Sequence, residues 1–235
     1  MLDNIESIRE GDVIVLFDES AKPLEKYGFL NDQDKEIVDK SNIIYQKLSK
    51  DMTYDSDRFD GGGHTMYIEY LKGNPRYFNE YEYIWVFEND VLYLGDINNF
   101  IKSHQEISAD VLVPQMGGRG IPEFGEKWIW EDSLSSNLKE LYEHKGVLAY
   151  FARYSAKYLE FIINNVEKSF EGFFEIITPI ICKKYDFSIR TFDQNQLGNV
   201  GISGNSNTEL IIKIIKNETE AIEEMKNKMH HPVKL

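Results

Sequence analysis

The stretch Tyr83–Gly95, with the sequence YIWVFENDVLYLG, decides the fold expected for this chain. Its first five residues are aromatic and β-branched, which is the composition of a strand covered on both faces. Glu88, Asn89 and Asp90 follow at once, and ligands of open α/β sheets bind beyond the carboxyl ends of strands. A carboxylate pair at such a position offers the oxygen ligands that Mg²⁺ or Mn²⁺ prefers. The stretch therefore predicts a buried strand that ends at a metal site or, as the plainer alternative, at a polar terminus.

Composition limits the class of protein and the class of partner. The chain has 235 residues, which suits one domain over residues 1–235, and 42% of them are hydrophobic, which is enough for a core. The net charge of -14 argues against a nucleic acid partner, because neutralising phosphates requires a basic face. The one cysteine, Cys182, allows no internal disulfide and fits a reducing compartment. With no signal-peptide pattern and no apolar run of ~20 residues, we expect a soluble, cytoplasmic chain without a transmembrane segment.

Predicted strands and helices alternate along the chain. Strands are expected at residues 12–18, 42–45, 83–87, 110–114, 146–151 and 187–192. Amphipathic helices are expected at residues 66–71, 98–104, 155–167, 171–181 and 208–229. This alternation predicts an α/β fold with a mostly parallel sheet and helices on both faces.

Glu175 is the carboxylate with the most unusual sequence environment. It lies in the first turn of a predicted helix, between Phe174 and Ile176. A carboxyl group surrounded by apolar side chains has a raised pKa, which suits a general base. The alternative is that Glu175 points to solvent and complements the helix dipole.

Other segments allow two interpretations each. Three glycines precede His64 at the start of a predicted helix, which indicates either an anion-binding turn or a flexible connection. Trp128 and Trp130 belong to the core or stack on a sugar or base ring. The segment 193–207 is rich in Gly, Asn and Ser and predicts a mobile loop. The terminal residues His230–Lys234 are either a frayed tail or, because Pro and Val stiffen them, a docked segment.

Taken together, the ordered motifs resemble a known family. The pattern Tyr83-x-Trp85-x-x-Glu88-x-Asp90-Val91-x-x-x-Gly95 resembles the core segment of GT-A-type glycosyltransferases, and is similar to that of bacterial and viral polysaccharide glycosyltransferases. The later motifs of that group follow in the same order: Asp110-Val-Leu112, Trp128-Ile-Trp130, Phe174-Glu175-Ile-Ile-Thr-Pro179 and His231-Pro-Val-Lys234. The resemblance covers residues 10–235. It implies a GT-A-like, Rossmann-type mixed sheet.

The resemblance also implies a function, namely metal-assisted transfer of a sugar from a nucleotide-diphosphate sugar to a glycan hydroxyl. Glu88 stands where the usual motif has Asp, so Asp90 would be the direct ligand of Mn²⁺ or Mg²⁺ and Glu88 would bind directly or through water. The remaining roles implied are a further metal ligand (His231), a general base (Glu175), donor contacts (Asp18, His64, Arg119 and Lys234) and acceptor contacts (Trp128, Trp130 and Arg153). Two alternatives stay open: a metal-dependent phosphoesterase or nucleotidyltransferase, and a non-catalytic carbohydrate-binding module.

Overall fold

The computed structural model describes residues 13–18, 43–48, 63–88, 91–117, 131–134, 136–143, 146–165 and 173–200, and near the carboxyl end residues 216, 219, 222–223 and 226–231. The described strands are β1 (Val13–Asp18), β2 (Ile43–Leu48), β3 (Tyr83–Phe87), β4 (Leu92–Tyr93), β5 (Val111–Val113), β6 (Gln115–Gly117), β7 (Gly146–Leu148), β8 (Phe151–Ser155), β9 (Ile189–Thr191), β10 (Leu197–Val200) and β11 (Met229–His231). The described helices are α1 (Gly63–Gly73), α2 (Tyr77–Glu80), α3 (Ile97–Ser103), α4 (Ser136–Lys139), α5 (Ala156–Asn165) and α6 (Phe174–Lys184).

The largest described sheet has four strands in the order β3-β8-β5-β9. Strand β8 runs antiparallel to both β3 and β5, whereas β5 and β9 are parallel. Strand β3 therefore lies at an edge, and its residues are half-buried apart from the more exposed Phe87. The predicted cover on both faces is partial: Trp85 on one face, and Ile84 and Val86 on the other, are half-buried and pack against the core.

The described residues form both helices and strands, which is compatible with the predicted α/β class, but their strand pairings are not mostly parallel. Pairs β3–β8, β5–β8, β6–β7 and β4–β11 are antiparallel, and pairs β1–β2, β5–β9 and β10–β11 are parallel. The alternation of helices and strands predicts the class because it reflects local periodicity. It does not determine direction, because an apolar run such as Val111–Val113 packs equally well beside a parallel or an antiparallel neighbour.

The core has an aromatic part around Trp85 and an aliphatic part that includes residues of β5 and α6. The indole of Trp85 stacks on Phe192 with ring centroids 5.8 Å apart and meets Phe100 edge-on at the same distance. Strand β5 is fully buried, and helix α6 packs against β7. The predicted inward face of α6 is confirmed, since Ile176, Ile177, Ile180 and Ile181 are buried. These contacts hold the start of α6 close to the sheet.

Helix α5 begins where the sequence predicts it. Ser155, the last residue of β8, accepts a hydrogen bond from the Tyr158 backbone N–H through its hydroxyl at 3.1 Å, and so caps the helix. Tyr158, Leu159 and Ile162 are buried on one face. Ser155 is thus both the last residue of β8 and the N-cap of α5.

Candidate functional site

Glu88 lies directly beyond the carboxyl end of β3, as predicted. Its backbone N–H donates to the carbonyl of Tyr150 at 2.7 Å, and its own carbonyl accepts from the N–H of Val91 at 3.2 Å. This tight turn returns the chain into β4. The Glu88 side chain is half-buried. Asp90, the second carboxylate of the pair, lies outside the described residues.

Glu175 is buried in the first turn of α6. Its side chain is 7% exposed, and its neighbours Phe174 and Ile176 are buried as well. The interpretation that Glu175 points to solvent is therefore wrong. The positive end of the helix dipole lies at this first turn and favours a carboxylate there.

A proline four residues later marks the same turn of α6. Pro179 lies inside the helix and has no N–H, so it cannot donate the usual helical hydrogen bond to the Glu175 carbonyl. Its ring also crowds that carbonyl, which bends a helix at this point. The spacing of Glu175 and Pro179 thus has a local consequence: residue 179 supplies no helical N–H to the Glu175 carbonyl.

Glu88 and Glu175 both influence the pKa of Tyr150. Burial raises the pKa of its hydroxyl well above the ordinary value, and the negative charges of Glu175 and Glu88 raise it further. The same two carboxylates contribute, after burial, to the raised pKa of Tyr154. Glu88 and Glu175 therefore act on the same buried phenols, although they lie far apart in the sequence. Neutral Tyr150 keeps its proton across the physiological pH range.

Tyr150 is a residue that sequence reasoning missed. The run 146–151 predicts one strand, whereas the structure has two, β7 and β8, with Ala149 and Tyr150 between them. In one continuous strand, the side chains would alternate between the two faces. Here the connection between β7 and β8 instead directs the Tyr150 carbonyl to the backbone N–H of Glu88. No signal within the run itself distinguishes one continuous strand from two.

Of the terminal segment His230–Lys234, the two described residues, His230 and His231, belong to a docked strand. Strand β11 pairs with β4 in the register Met229↔Tyr93 and His230↔Leu92, and with β10 through Leu197↔Met229. Because the two strands are antiparallel, the end of β11 at His231 lies towards the start of β4, which follows Val91 and the Glu88 turn. His231 belongs to β11, but its side chain and Lys234 lie outside the described residues.

Two further expectations for this region are settled. The predicted loop 193–207 is wrong over its first part, which forms a 3₁₀ turn at Gln194–Gln196 followed by β10. This strand forms because β11 supplies hydrogen-bonding partners from a segment that lies ~30 residues further along the chain. Within the described residues, the predicted helix 208–229 is helical at residues 219 and 222–223, but its end is wrong, because residues 226–227 form a turn and Met229 begins β11.

Arg153 occupies a place different from the one predicted. It lies in the middle of β8 rather than at a strand end, and it is 1% exposed. Its guanidinium donates to the carbonyls of His104, Ile107 and Ala109, and it lies 3.8 Å from the centroid of the Tyr83 ring. With its donors directed at the backbone, Arg153 holds the loop after α3 against the sheet. The acceptor contact expected of Arg153 has no support in this geometry.

Only the backbone of two of the remaining candidates is described. Asp18 is the last residue of β1, and His64 lies in the first turn of α1, which packs against β1. Arg119, Trp128 and Trp130 lie outside the described residues. Within the described ranges, no three His, Cys, Asp or Glu side chains gather in a metal-binding cluster. None of the helices described here is both long enough and apolar enough to cross a membrane.

A groove of about 490 Å³ lies at the other end of β3, away from Glu88. It is lined in part by Tyr83, Asp110 and Ser155. Burial alone would raise the pKa of Asp110, but hydrogen bonds from the Ser188 N–H and hydroxyl, both at 2.8 Å, and from Ser155 at 3.0 Å lower it. These bonds tie the start of β5 to the turn before β9.

Comparison with models of known protein families finds no match. Comparison with curated proteins finds no significant sequence similarity.

Proposed function

We propose that this protein is a metal-assisted glycosyltransferase that moves a sugar from a nucleotide-diphosphate sugar to a glycan hydroxyl. One observation carries the proposal: β11, which contains His231, pairs with β4, which begins four residues after Glu88. A second observation supports it, because Glu88 and Glu175 both act electrostatically on Tyr150. These two observations are the reason for assigning the separate motifs to one site.

The donor side of the site would consist of carboxylates and one cation. Glu88 has the half-buried position and the oxygen donors that suit Mn²⁺ or Mg²⁺, and Asp90 would be the second ligand. His231 would complete the set. The bound ion would neutralise charge on the departing diphosphate as a Lewis acid. Lys234 would pair with a phosphate oxygen as a point charge.

The acceptor side of the site would depend on Glu175. Its carboxylate is buried and held in the first turn of α6, which orients it. It would accept the proton of the acceptor hydroxyl if the reaction inverts the anomeric centre, or position that hydroxyl if the reaction retains it. The hydroxyl of Tyr150, whose pKa is raised by burial and by both carboxylates, stays protonated and would serve as a hydrogen-bond donor.

The proposal is tested by binding. In a thermal-shift screen of nucleotide sugars with and without Mn²⁺, the correct donor should raise the melting temperature only when Mn²⁺ is present. At a ligand concentration 100 times Kd the gain is about 2.7 kcal/mol, which such a screen detects easily. Binding of glycans without Mn²⁺ and without any donor would instead identify a carbohydrate-binding module. Failure of every nucleotide sugar to bind would refute the transferase.

Two substitutions test the assigned roles once a donor is known. Asp90→Ala and Glu175→Gln should each lower turnover by about two to four powers of ten while the far-UV spectrum stays unchanged. Glu160→Gln is the matched control, because Glu160 is exposed on α5, and its turnover should equal that of the wild type. Unchanged turnover in either test variant removes that residue from the mechanism.

A further inference from the structure

Strand β11 lies in the middle of its sheet. It is hydrogen-bonded to β10 on one side and to β4 on the other. Met229 is fully buried and His230 is 3% exposed. A strand at this position is held along both edges, so the carboxy-terminal segment is an integral part of this sheet.

Two glycines leave room for the segment Asn227–His231, Gly198 beside His230 and Gly95 beside Asn227. A Cβ built on Gly198, in β10, would overlap the imidazole ring of His230. A Cβ built on Gly95, two residues beyond β4, would lie 2.5 Å from the side-chain oxygen of Asn227 and 3.1 Å from the Tyr93 ring. Neither glycine has a left-handed φ, so both positions require glycine for space and not for backbone conformation.

Asn227 directs the chain into this space. It adopts a left-handed φ of 60°, and its N–H donates to the carbonyl of Leu94. Asparagine tolerates this conformation better than most residues. The turn at Asn227 is therefore anchored next to Gly95, immediately before β11 begins.

We propose that Gly95 and Gly198 are positioning residues that form a seat for the segment Asn227–His231, and that filling this seat assembles the metal site of the proposed transferase. This proposal rests on the proposed function, in which His231 and Glu88 bind one metal ion. The seat would hold the backbone at His231 close to the Glu88 turn. His230 serves as the packing group that fills the space over Gly198. Donor and metal affinity should then depend on residues that contact neither ligand.

The seat itself is tested without any ligand. Amide hydrogen exchange at Met229, His230 and His231 should be at least tenfold faster in Gly198→Ala and in Gly95→Ala than in the wild type. Exchange at Val111–Val113, in the buried β5, should stay slow, which separates local release of β11 from global unfolding. Gly73→Ala is the matched control, because a Cβ on this exposed glycine at the end of α1 meets nothing within 4 Å. Wild-type protection of β11 in both test variants would overturn the seat.

A second-site substitution separates loss of space from general destabilisation. In the double variant Gly198→Ala with His230→Ala, the ring that the new methyl group overlaps is gone, so protection of β11 should return to within threefold of the wild type. This variant also serves if Gly198→Ala alone fails to fold. A double variant whose β11 stays unprotected, or that fails to fold as the single variant does, would overturn the packing argument.

Binding of Mn²⁺ alone, followed by the electron paramagnetic resonance of the free ion, tests the coupling. Gly198→Ala should bind at least tenfold more weakly than the wild type, and the double variant should recover to within threefold. Unchanged Mn²⁺ affinity in a variant whose β11 exchanges rapidly would overturn the coupling. A wild-type chain that binds no Mn²⁺ would overturn the metal site of the proposed function and the coupling with it, whereas hydrogen exchange decides the seat independently.

Discussion

Replacing Arg153 by methionine should destabilise the fold strongly, although the residue lies far from the carboxylates of the candidate site. Methionine keeps the unbranched shape and fills the same space, but it has no hydrogen-bond donors. The three carbonyls of His104, Ile107 and Ala109 lose their guanidinium partner, and the contact over the Tyr83 ring is lost too.

The magnitude follows from two opposing contributions. Three hydrogen bonds to a charged group contribute about 1.5–3 kcal/mol each, and a carbonyl left buried without a donor costs about 1–3 kcal/mol. Against this, removing the buried guanidinium recovers a desolvation cost of several kcal/mol. The Ile107 carbonyl is only part-buried, so water replaces one lost bond. We expect a net loss of about 3–5 kcal/mol in the free energy of unfolding.

Urea denaturation followed by far-UV circular dichroism measures this loss. The control is Arg190→Met. Both arginines are paired with Leu112 in the same sheet, but Arg190 is exposed whereas Arg153 is buried. The control should change the free energy of unfolding by less than about 0.5 kcal/mol. A loss below about 1 kcal/mol for Arg153→Met, or one equal to that of the control, would refute the structural role assigned to Arg153.

Two further predictions concern titratable groups. The folded-state pKa of Asp110 is lower than 3.8, so its contribution to stability is present above that pH and is lost as the pH falls through the folded value. Asp110→Asn should therefore cost about 1 kcal/mol at pH 7 and progressively less below pH ~4 in urea titrations; a difference that does not shrink as the pH falls below ~4 would contradict this. Burial raises the pKa of the Cys182 thiol from 9.0 to about 12, which lowers its thiolate fraction at pH 8 about a thousandfold. A thiol reagent should modify Cys182 only in denaturant, and rapid modification of the native protein would show that the thiol is accessible.

Local composition was sufficient to predict most elements of the fold. The aromatic run at Tyr83–Phe87 forms β3 with the predicted bounds, and β1 begins one residue after the predicted start. The isoleucines of α6 are buried as predicted, although the helix is also buried at Glu175, Thr178 and Cys182, outside the predicted face. These predictions succeed because apolar periodicity reflects burial of one face, and that requirement holds whichever neighbour covers the face.

Strand direction and the breaks between strands could not be predicted in the same way. The run that contains Tyr150 divides into β7 and β8 because the two halves pair with different strands, β6 and β3. Arg153 appears at a strand end in the sequence, but the loop after α3 offers carbonyls that hold it inside. Both outcomes depend on partners from distant segments.

The sequence by itself determined that Glu88 follows a strand and that Glu175 lies in the first turn of a helix, because each position depends on its near neighbours. Only the tertiary structure decided that both carboxylates act on Tyr150 and that the segment at Met229–His231 is the middle strand of its sheet. The physical reason is that strand pairing joins backbone groups from segments that lie far apart in the sequence. Gly198 faces the His230 ring and Gly95 faces the Asn227 side chain, and neither contact can be predicted from near neighbours in the chain.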